Sequence, residues 1–296
     1  MERSVAIPTS ATRAMDYVEL SKPRITFMVM ITSAGGYLLG AHGGASLLGL
    51  LHTVVGTGLV AAAASALNQW IERDTDRLME RTRDRPLPAG RMEPGTVLAF
   101  GIAAGLFGTS YLALFVNGLA AGLGLGTLLL YVLVYTPMKR VSSLCTIVGA
   151  VPGALPPVMG WAAARNDLST GAWVLFGVLF LWQMPHFLAI AWMHREDYER
   201  GGQPMLPVLD PDGTRTGRQM ILYSLALLPV SLLPTIIGLT GETYFAGAFV
   251  LGLAYLAASA YAAFRRTTDA ARVLLRVSVV YLPVLIGLLA ASKVTP

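Results

Sequence analysis

The feature that most limits how this chain can fold is the placement of its charge. Long uncharged runs alternate with short charged islands. The runs are about 17–22 residues long, the length that crosses a bilayer as a helix. Inside lipid the backbone has no water to bond, so such a run satisfies its own N–H and C=O groups by coiling. Nine spans are predicted, over residues 25–42, 47–67, 96–116, 118–136, 143–163, 172–193, 219–239, 243–263 and 273–291. Composition agrees. Only 13% of the 296 residues are charged, against about a quarter in soluble domains. The expected fold class is all-α: a polytopic membrane protein with about nine transmembrane helices bundled around a central cavity open to the cytoplasmic side. The longest polar segment leaves no room for a soluble domain, so residues 1–296 read as one intramembrane domain. Residues 1–22 read as a cytoplasmic N-terminal arm, since they lack the apolar core of a signal peptide.

The islands also set an orientation. Nine spans put the two termini on opposite sides. With the arm inside, 20 of the 22 lysines and arginines fall on inner segments, and only Arg165 and Lys293 lie outside. That is a strong positive-inside bias. It predicts a cytoplasmic N-terminus and an external C-terminus; the membrane expected is a cell (inner) membrane. Basic loops facing anionic lipid or an anionic ligand account for the net charge of +5 without nucleic acid. The lone Cys145 excludes an intramolecular disulfide and a thiolate metal cluster. Pro152, Pro156 and Pro157 are expected to bend or break the fifth span.

One inner segment asks for a chemical explanation. "NQWIERDTDRLMERTRDRP" follows an uncharged helix directly. Asn68, Glu72 and Asp76 are four residues apart, so on a helix they form a slowly drifting stripe about 12 Å long. Asp74 falls on the opposite side. Oxygen ligands with no His or Cys suit a hard cation. Mg²⁺ fits best, because it binds through one or two carboxylates and keeps phosphate oxygens among its ligands. Arg81 and Arg85 follow, and guanidinium matches phosphate oxygens in pairs. Pro86, Pro88 and Gly90 are expected to end the helix and let the arginines fold back over the metal. The plain alternative is a solvated helix end laced with i,i+4 charge pairs.

A second acidic cluster, in "WMHREDYERGG", puts Glu196, Asp197 and Glu199 at the inner end of the sixth span. Two carboxylate clusters at one membrane face suit a pair of cations on one diphosphate. Metal and arginine together would stabilise the charge that grows on a leaving diphosphate.

At these residues the chain resembles a known family. It is similar to the intramembrane prenyltransferases typified by 4-hydroxybenzoate polyprenyltransferases, and within them to the protohaem IX farnesyltransferase (haem O synthase) family. The likeness rests on "NQWIERDTDRLMERTRDRPL", on "YTPMKR…VGAVPGALPPVMGW" (Tyr135 to Trp161) and on "WQMPHFLAIAWMHREDYERGGQPMLPV" (Trp182 to Val208). The first motif belongs to the whole superfamily; the third points to haem. One departure is Cys145, which stands where the family usually carries Asn.

The resemblance implies transfer of a farnesyl group from farnesyl diphosphate to the 2-vinyl group of haem B, giving haem O. It implies Mg²⁺ as cofactor, held by Asn68, Glu72, Asp76 and Asp197. Arg81, Arg85, Lys139 and Arg195 are the expected diphosphate donors. Tyr135, Tyr198 and His186 are the expected acceptor-side residues. A haem A synthase or a terminal oxidase assembly is a candidate protein partner. His186 carries its own argument. Eleven residues separate it from Asp197, close to a whole number of turns and about 16 Å along a helix, so both should share a cavity-facing stripe with Ile190 and Met193. Imidazole is the usual iron ligand for haem. Its alternative role is to cap a carbonyl freed by a kink at Pro185. Two rival functions stand beside this one: prenylation of another aromatic or quinone-precursor acceptor, and transport of haem or an anionic lipid.

Overall fold

The computed structural model describes residues 10–41 and 44–294; residues 1–9 of the predicted arm lie outside the described part. The described residues are almost wholly helical. A short helix α1 (Ser10–Leu20) leads into α2 (Pro23–Gly40), α3 (Leu47–Asp76), α4 (Pro94–Phe115) and α5 (Gly118–Met138). Then come α6 (Cys145–Arg165), α7 (Thr170–Met193), the short α8 (Arg195–Arg200), α9 (Thr214–Ile236), α10 (Glu242–Arg265) and α11 (Thr268–Ala291). Eight of these are long and apolar enough to cross a membrane. The first expected span, α2, is 18 residues long but diluted by Thr26, Thr32, Ser33, Gly35 and Gly36. It packs across α6 and α3 as part of the same bundle. The chain is therefore a multi-pass membrane protein.

α3 runs further than the apolar run predicts. Its 30 residues make about 45 Å of helix, longer than the hydrocarbon core. The surplus carries the acidic stripe. The helix then stops at Asp76, well before Pro86, as Thr82 Oγ1 caps the Asp76 carbonyl at 2.9 Å and the chain continues in turns.

The expected break in α6 does not occur. Pro152, Pro156 and Pro157 all sit inside one continuous helix. The reason is the backbone of α2, which lies directly against this stretch. A Cβ on Gly36 would sit 2.0 Å from the Pro157 carbonyl oxygen, and one on Gly160 would sit 1.8 Å from that of Ser33. Helices that approach so closely in a membrane are held by packing between small residues, and that contact supports an α6 that runs on unbroken through its prolines. Gly160→Ala is expected to force the two helices apart and cost about 1–3 kcal/mol or more. Gly122→Ala, whose Cβ would meet nothing within 4 Å, is the matched control. Thermal melting of the two purified variants checks this: a lowered midpoint for the first and none for the second.

Candidate active site

One cavity, about 340 Å³, opens at the end of the bundle where α3 ends and α6 begins. It is walled by α2, α3, α5, α6 and α7; none of α9, α10 or α11 reaches it. The lining spans residues 22–205, and Tyr198 of α8 joins it at the mouth. Along α3 it follows Thr57, Val60, Ala61, Ala64, Ser65, Asn68, Glu72 and Asp76, one helical face about 28 Å long. The deep end is lined by Val29, Val60, Pro156 and Met159, so it is apolar; the mouth is charged.

The mouth is built on the stripe. Asn68, Glu72 and Asp76 are 1%, 5% and 0% exposed, whereas the Asp74 side chain is 70% exposed and pairs only with its neighbour Arg73. Each buried group faces a cation. Lys22 Nζ donates to Asn68 Oδ1 at 3.0 Å. Lys139 Nζ lies 2.9 Å from Glu72 Oε1. Arg85 Nη1 donates to Asp76 Oδ2 at 2.7 Å. Arg85 thus folds back from the turns onto the helix end, and the i,i+4 charge ladder of a solvated helix end does not form. Arg81 also lines the mouth, with its guanidinium 5.7 Å from the Tyr198 ring centre. Burial, then the charges of Arg85 and Lys139, lower the Lys22 pKa to about 7. Burial acts the same way on Lys139, but the carboxylate of Glu72 outweighs it and holds the ammonium well above its ordinary value.

Two carboxylate oxygens of the stripe, Glu72 Oε1 and Asp76 Oδ1, are buried without a hydrogen bond, and only the first has a cation, Lys139, beside it. Asp76 Oδ1 lies at the cavity mouth. A buried carboxylate oxygen left bare is costly unless something binds it. Together with Asn68 Oδ1 and the Glu72 carboxylate it forms an all-oxygen donor set, which fits a hard divalent cation. No group of three or more His, Cys, Asp or Glu gathers as a metal site among the described residues, so any cation here would draw its remaining ligands from outside the chain.

The aromatic wall depends on a local departure from α-geometry. Residues Leu130–Tyr135 of α5 form a π-helical turn, a distortion that often marks function. Tyr131 and Tyr135 both line the cavity. Gly149 of α6 lets the Tyr135 ring lie on its backbone, since a Cβ there would sit 2.3 Å from a ring carbon. Lys139 Nζ lies 4.7 Å from the centre of that ring.

Three expected site residues stand elsewhere. Asp197 is buried but does not line the cavity. Its Oδ1 accepts from the Glu80 backbone N–H at 2.9 Å and from Arg200 at 2.5 Å, so it ties α8 to the turns that carry Arg81 and Arg85. Arg195 is exposed and stacks over Trp192. His186 points away from the cavity: its Nδ1 bonds Ser278 Oγ of α11 at 2.7 Å, and its ring stacks on Trp182. The Nδ1 partner is a side chain rather than a carbonyl freed by Pro185, and His186 is not among the residues that line the cavity. Its neighbour Phe187 and Ile190 line the cavity; Met193 does not. At Cys145 the Sγ meets Met205 Sδ at 3.6 Å in an apolar cluster.

Sequence reasoning missed Lys22. Its signal was the "SKP" turn: Pro23 opens α2, and Lys22 just before it adopts φ 46°, ψ 66°, a left-handed conformation rare without glycine. Gln69 Nε2 fixes this turn from α3 by donating to the Leu20 carbonyl at 2.9 Å.

Residues 29–292 match the UbiA prenyltransferase family. A protoheme IX farnesyltransferase from Solibacter usitatus (strain Ellin6076) is 50% identical over 287 residues, covering 94% of this chain and 98% of that one. Among solved structures, a digeranylgeranylglyceryl phosphate synthase superposes with a TM-score of 0.78 at 17% identity, over 94% of this chain and 98% of that one. A UbiA homologue from Archaeoglobus fulgidus, bound to GPP and Mg²⁺, superposes with a TM-score of 0.68 at 16% identity, over 93% and 99%.

Proposed function

The chain belongs to the UbiA prenyltransferase family, and on that premise we propose that its charged cavity mouth holds the diphosphate of a prenyl donor while the apolar depth holds the prenyl chain. The activity is that of a protohaem IX farnesyltransferase: farnesyl diphosphate and haem B give haem O and diphosphate. The observation that carries the site assignment is the buried Asn68–Glu72–Asp76 stripe, matched one for one by Lys22, Lys139 and Arg85 at the head of an apolar cavity.

Asn68, Glu72 and Asp76 would hold Mg²⁺, to which, with GPP, the Archaeoglobus homologue is bound. Bound there, the metal supplies Lewis-acid stabilisation to the diphosphate as it leaves. Lys22, Lys139, Arg81 and Arg85 neutralise the same anion from the protein side and keep it at the mouth. Ionisation breaks the C1–O bond of the donor and leaves an allylic cation. The walls around it are apolar or aromatic, which keeps water from quenching it early. The electron-rich faces of Tyr131 and Tyr135 suit a passing cation. The haem vinyl group then supplies the electron pair for the new C–C bond, and water completes the resulting cation as a hydroxyl, releasing a proton. Asp197 supports the site indirectly by holding the turns that present Arg81 and Arg85.

Residues 1–296 work as one domain in this reading, and its products pass to a terminal oxidase assembly directly or through a haem A synthase. Incubating the purified chain with farnesyl diphosphate, haem B and Mg²⁺ tests it. Farnesylated haem is the expected product; turnover only with an aromatic acid or quinone precursor would overturn the haem assignment.

The charge bias further assigns the mouth to the cytoplasmic side of the inner membrane. A compartment-specific reporter fused after Asp84 should read cytoplasmic, and one after Asn166 external. An external signal at Asp84 would put the active site on the wrong side and sink the orientation.

A further inference from the structure

Asn68 is an amide, and an amide can present either its oxygen or its nitrogen to a ligand. Only the oxygen can bind a cation. What decides which end faces the cavity is set by its neighbours. Asn68 Nδ2 donates to Thr136 Oγ1 at 3.1 Å and to Glu72 Oε2 at 2.9 Å, while Oδ1 accepts from Lys22.

Thr136 sits at the end of the π-turn and is 1% exposed. A hydroxyl has one proton to give. Thr136 gives it to the Tyr131 carbonyl at 2.8 Å, the same carbonyl that takes its backbone N–H. Its oxygen can then only accept. The Asn68 atom facing it must therefore be the nitrogen, and the carboxamide oxygen must face the other way, toward Lys22 and the cavity. The π-turn makes this possible, because it returns the Thr136 N–H and hydroxyl together onto one carbonyl five residues back.

We propose that Thr136 is a positioning residue that holds the Asn68 carboxamide oxygen toward the cavity as a cation ligand. This rests on the metal-and-diphosphate reading of the mouth and adds a residue that touches neither. Partners that orient a metal ligand typically set affinity by about 10–100-fold when removed. Glu72 alone cannot replace Thr136: it restrains one of the two amide hydrogens and is itself needed for the cation.

The test measures binding without turnover. The full chain is purified in detergent as wild type and as Thr136→Val, Thr136→Ala and Thr136→Ser. Mn²⁺ is titrated in the presence of inorganic diphosphate, with the free ion read by electron paramagnetic resonance, and each variant's melting is recorded. Val and Ala should weaken Mn²⁺ binding about 10–100-fold, while Ser, which keeps the hydroxyl, should bind like wild type. Wild-type affinity in the Val or Ala variant would overturn the proposal. So would loss of binding in the Ser variant, which would place the role in the methyl group's packing. If Val proves too unstable to purify, the Ala–Ser comparison decides alone. Failure of the wild type to bind Mn²⁺ with diphosphate would bring down the metal reading itself, and the proposal with it, a result separate from any difference among the variants.

Discussion

Asp76→Asn is expected to lower farnesyl transfer by about a hundred- to a thousandfold, the scale seen when one electrostatic partner of a transition state is removed. Asp74→Asn, two residues away, should leave the rate nearly unchanged. The contrast follows from burial and partners. Asp76 is fully buried, its Oδ2 holds Arg85, and its Oδ1 has no partner within the protein. Asparagine keeps the shape, so the helix end and membrane insertion survive. It removes the charge that a divalent cation needs and leaves Arg85 facing a neutral amide in a buried mouth. Asp74 points to solvent with only Arg73 near it. Both variants should be assayed in membranes with their levels matched by immunoblot, alongside wild type with and without EDTA. Full activity in EDTA, or equal sensitivity of Asp74 and Asp76, would rule out the stripe as a metal site.

Much of this was legible in the residues because membranes simplify the code. A run without charge must be a helix, so all the long helices lie near their expected positions. The stripe was legible too, since Asn68, Glu72 and Asp76 lie within one uninterrupted helix where a period of 3.6 holds. The same arithmetic failed from His186 to Asp197. α7 ends at Met193, His194 leaves helical geometry at φ −116°, ψ 24°, and α8 begins at Arg195. Rotation counted across that break has no meaning, so His186 faces α11 while Asp197 holds a loop. The end of α3 failed in the opposite direction, although Arg85 does fold back as expected. The helix was expected to run to Pro86, and Arg85 reaches Asp76 because the helix ends at Asp76 instead. Lys22 was missed for another reason: the "SKP" turn marks it, but its role needs a left-handed conformation and a partner 46 residues away. The prolines of α6 misled because their cost is judged for an isolated helix, and here the backbone of α2 lies against them.

The product hydroxyl is expected to come from solvent. Run in ¹⁸O-water, the reaction should give farnesylated haem carrying one labelled oxygen on the new side chain. The argument is one of electron balance and of access. Joining the farnesyl cation to a vinyl π-bond consumes the pair that held the vinyl carbons and leaves a cation beside the porphyrin. That cation must either lose a proton or gain a hydroxide equivalent. The deep cavity offers no carboxylate or imidazole to take a proton: below Asn68 its polar groups on α3 are the hydroxyls of Ser65 and Thr57, and His186 is turned away toward Ser278. The charged groups stand at the mouth, engaged with one another. Water is the remaining nucleophile, and the charged mouth gives it a way in once diphosphate has left. Mass spectrometry of the extracted haem, with unlabelled water as control, reads the result. Farnesylated haem without the label would refute water quenching while leaving prenyl transfer intact. Haem that stays unmodified while a non-haem aromatic is prenylated would instead refute the choice of acceptor.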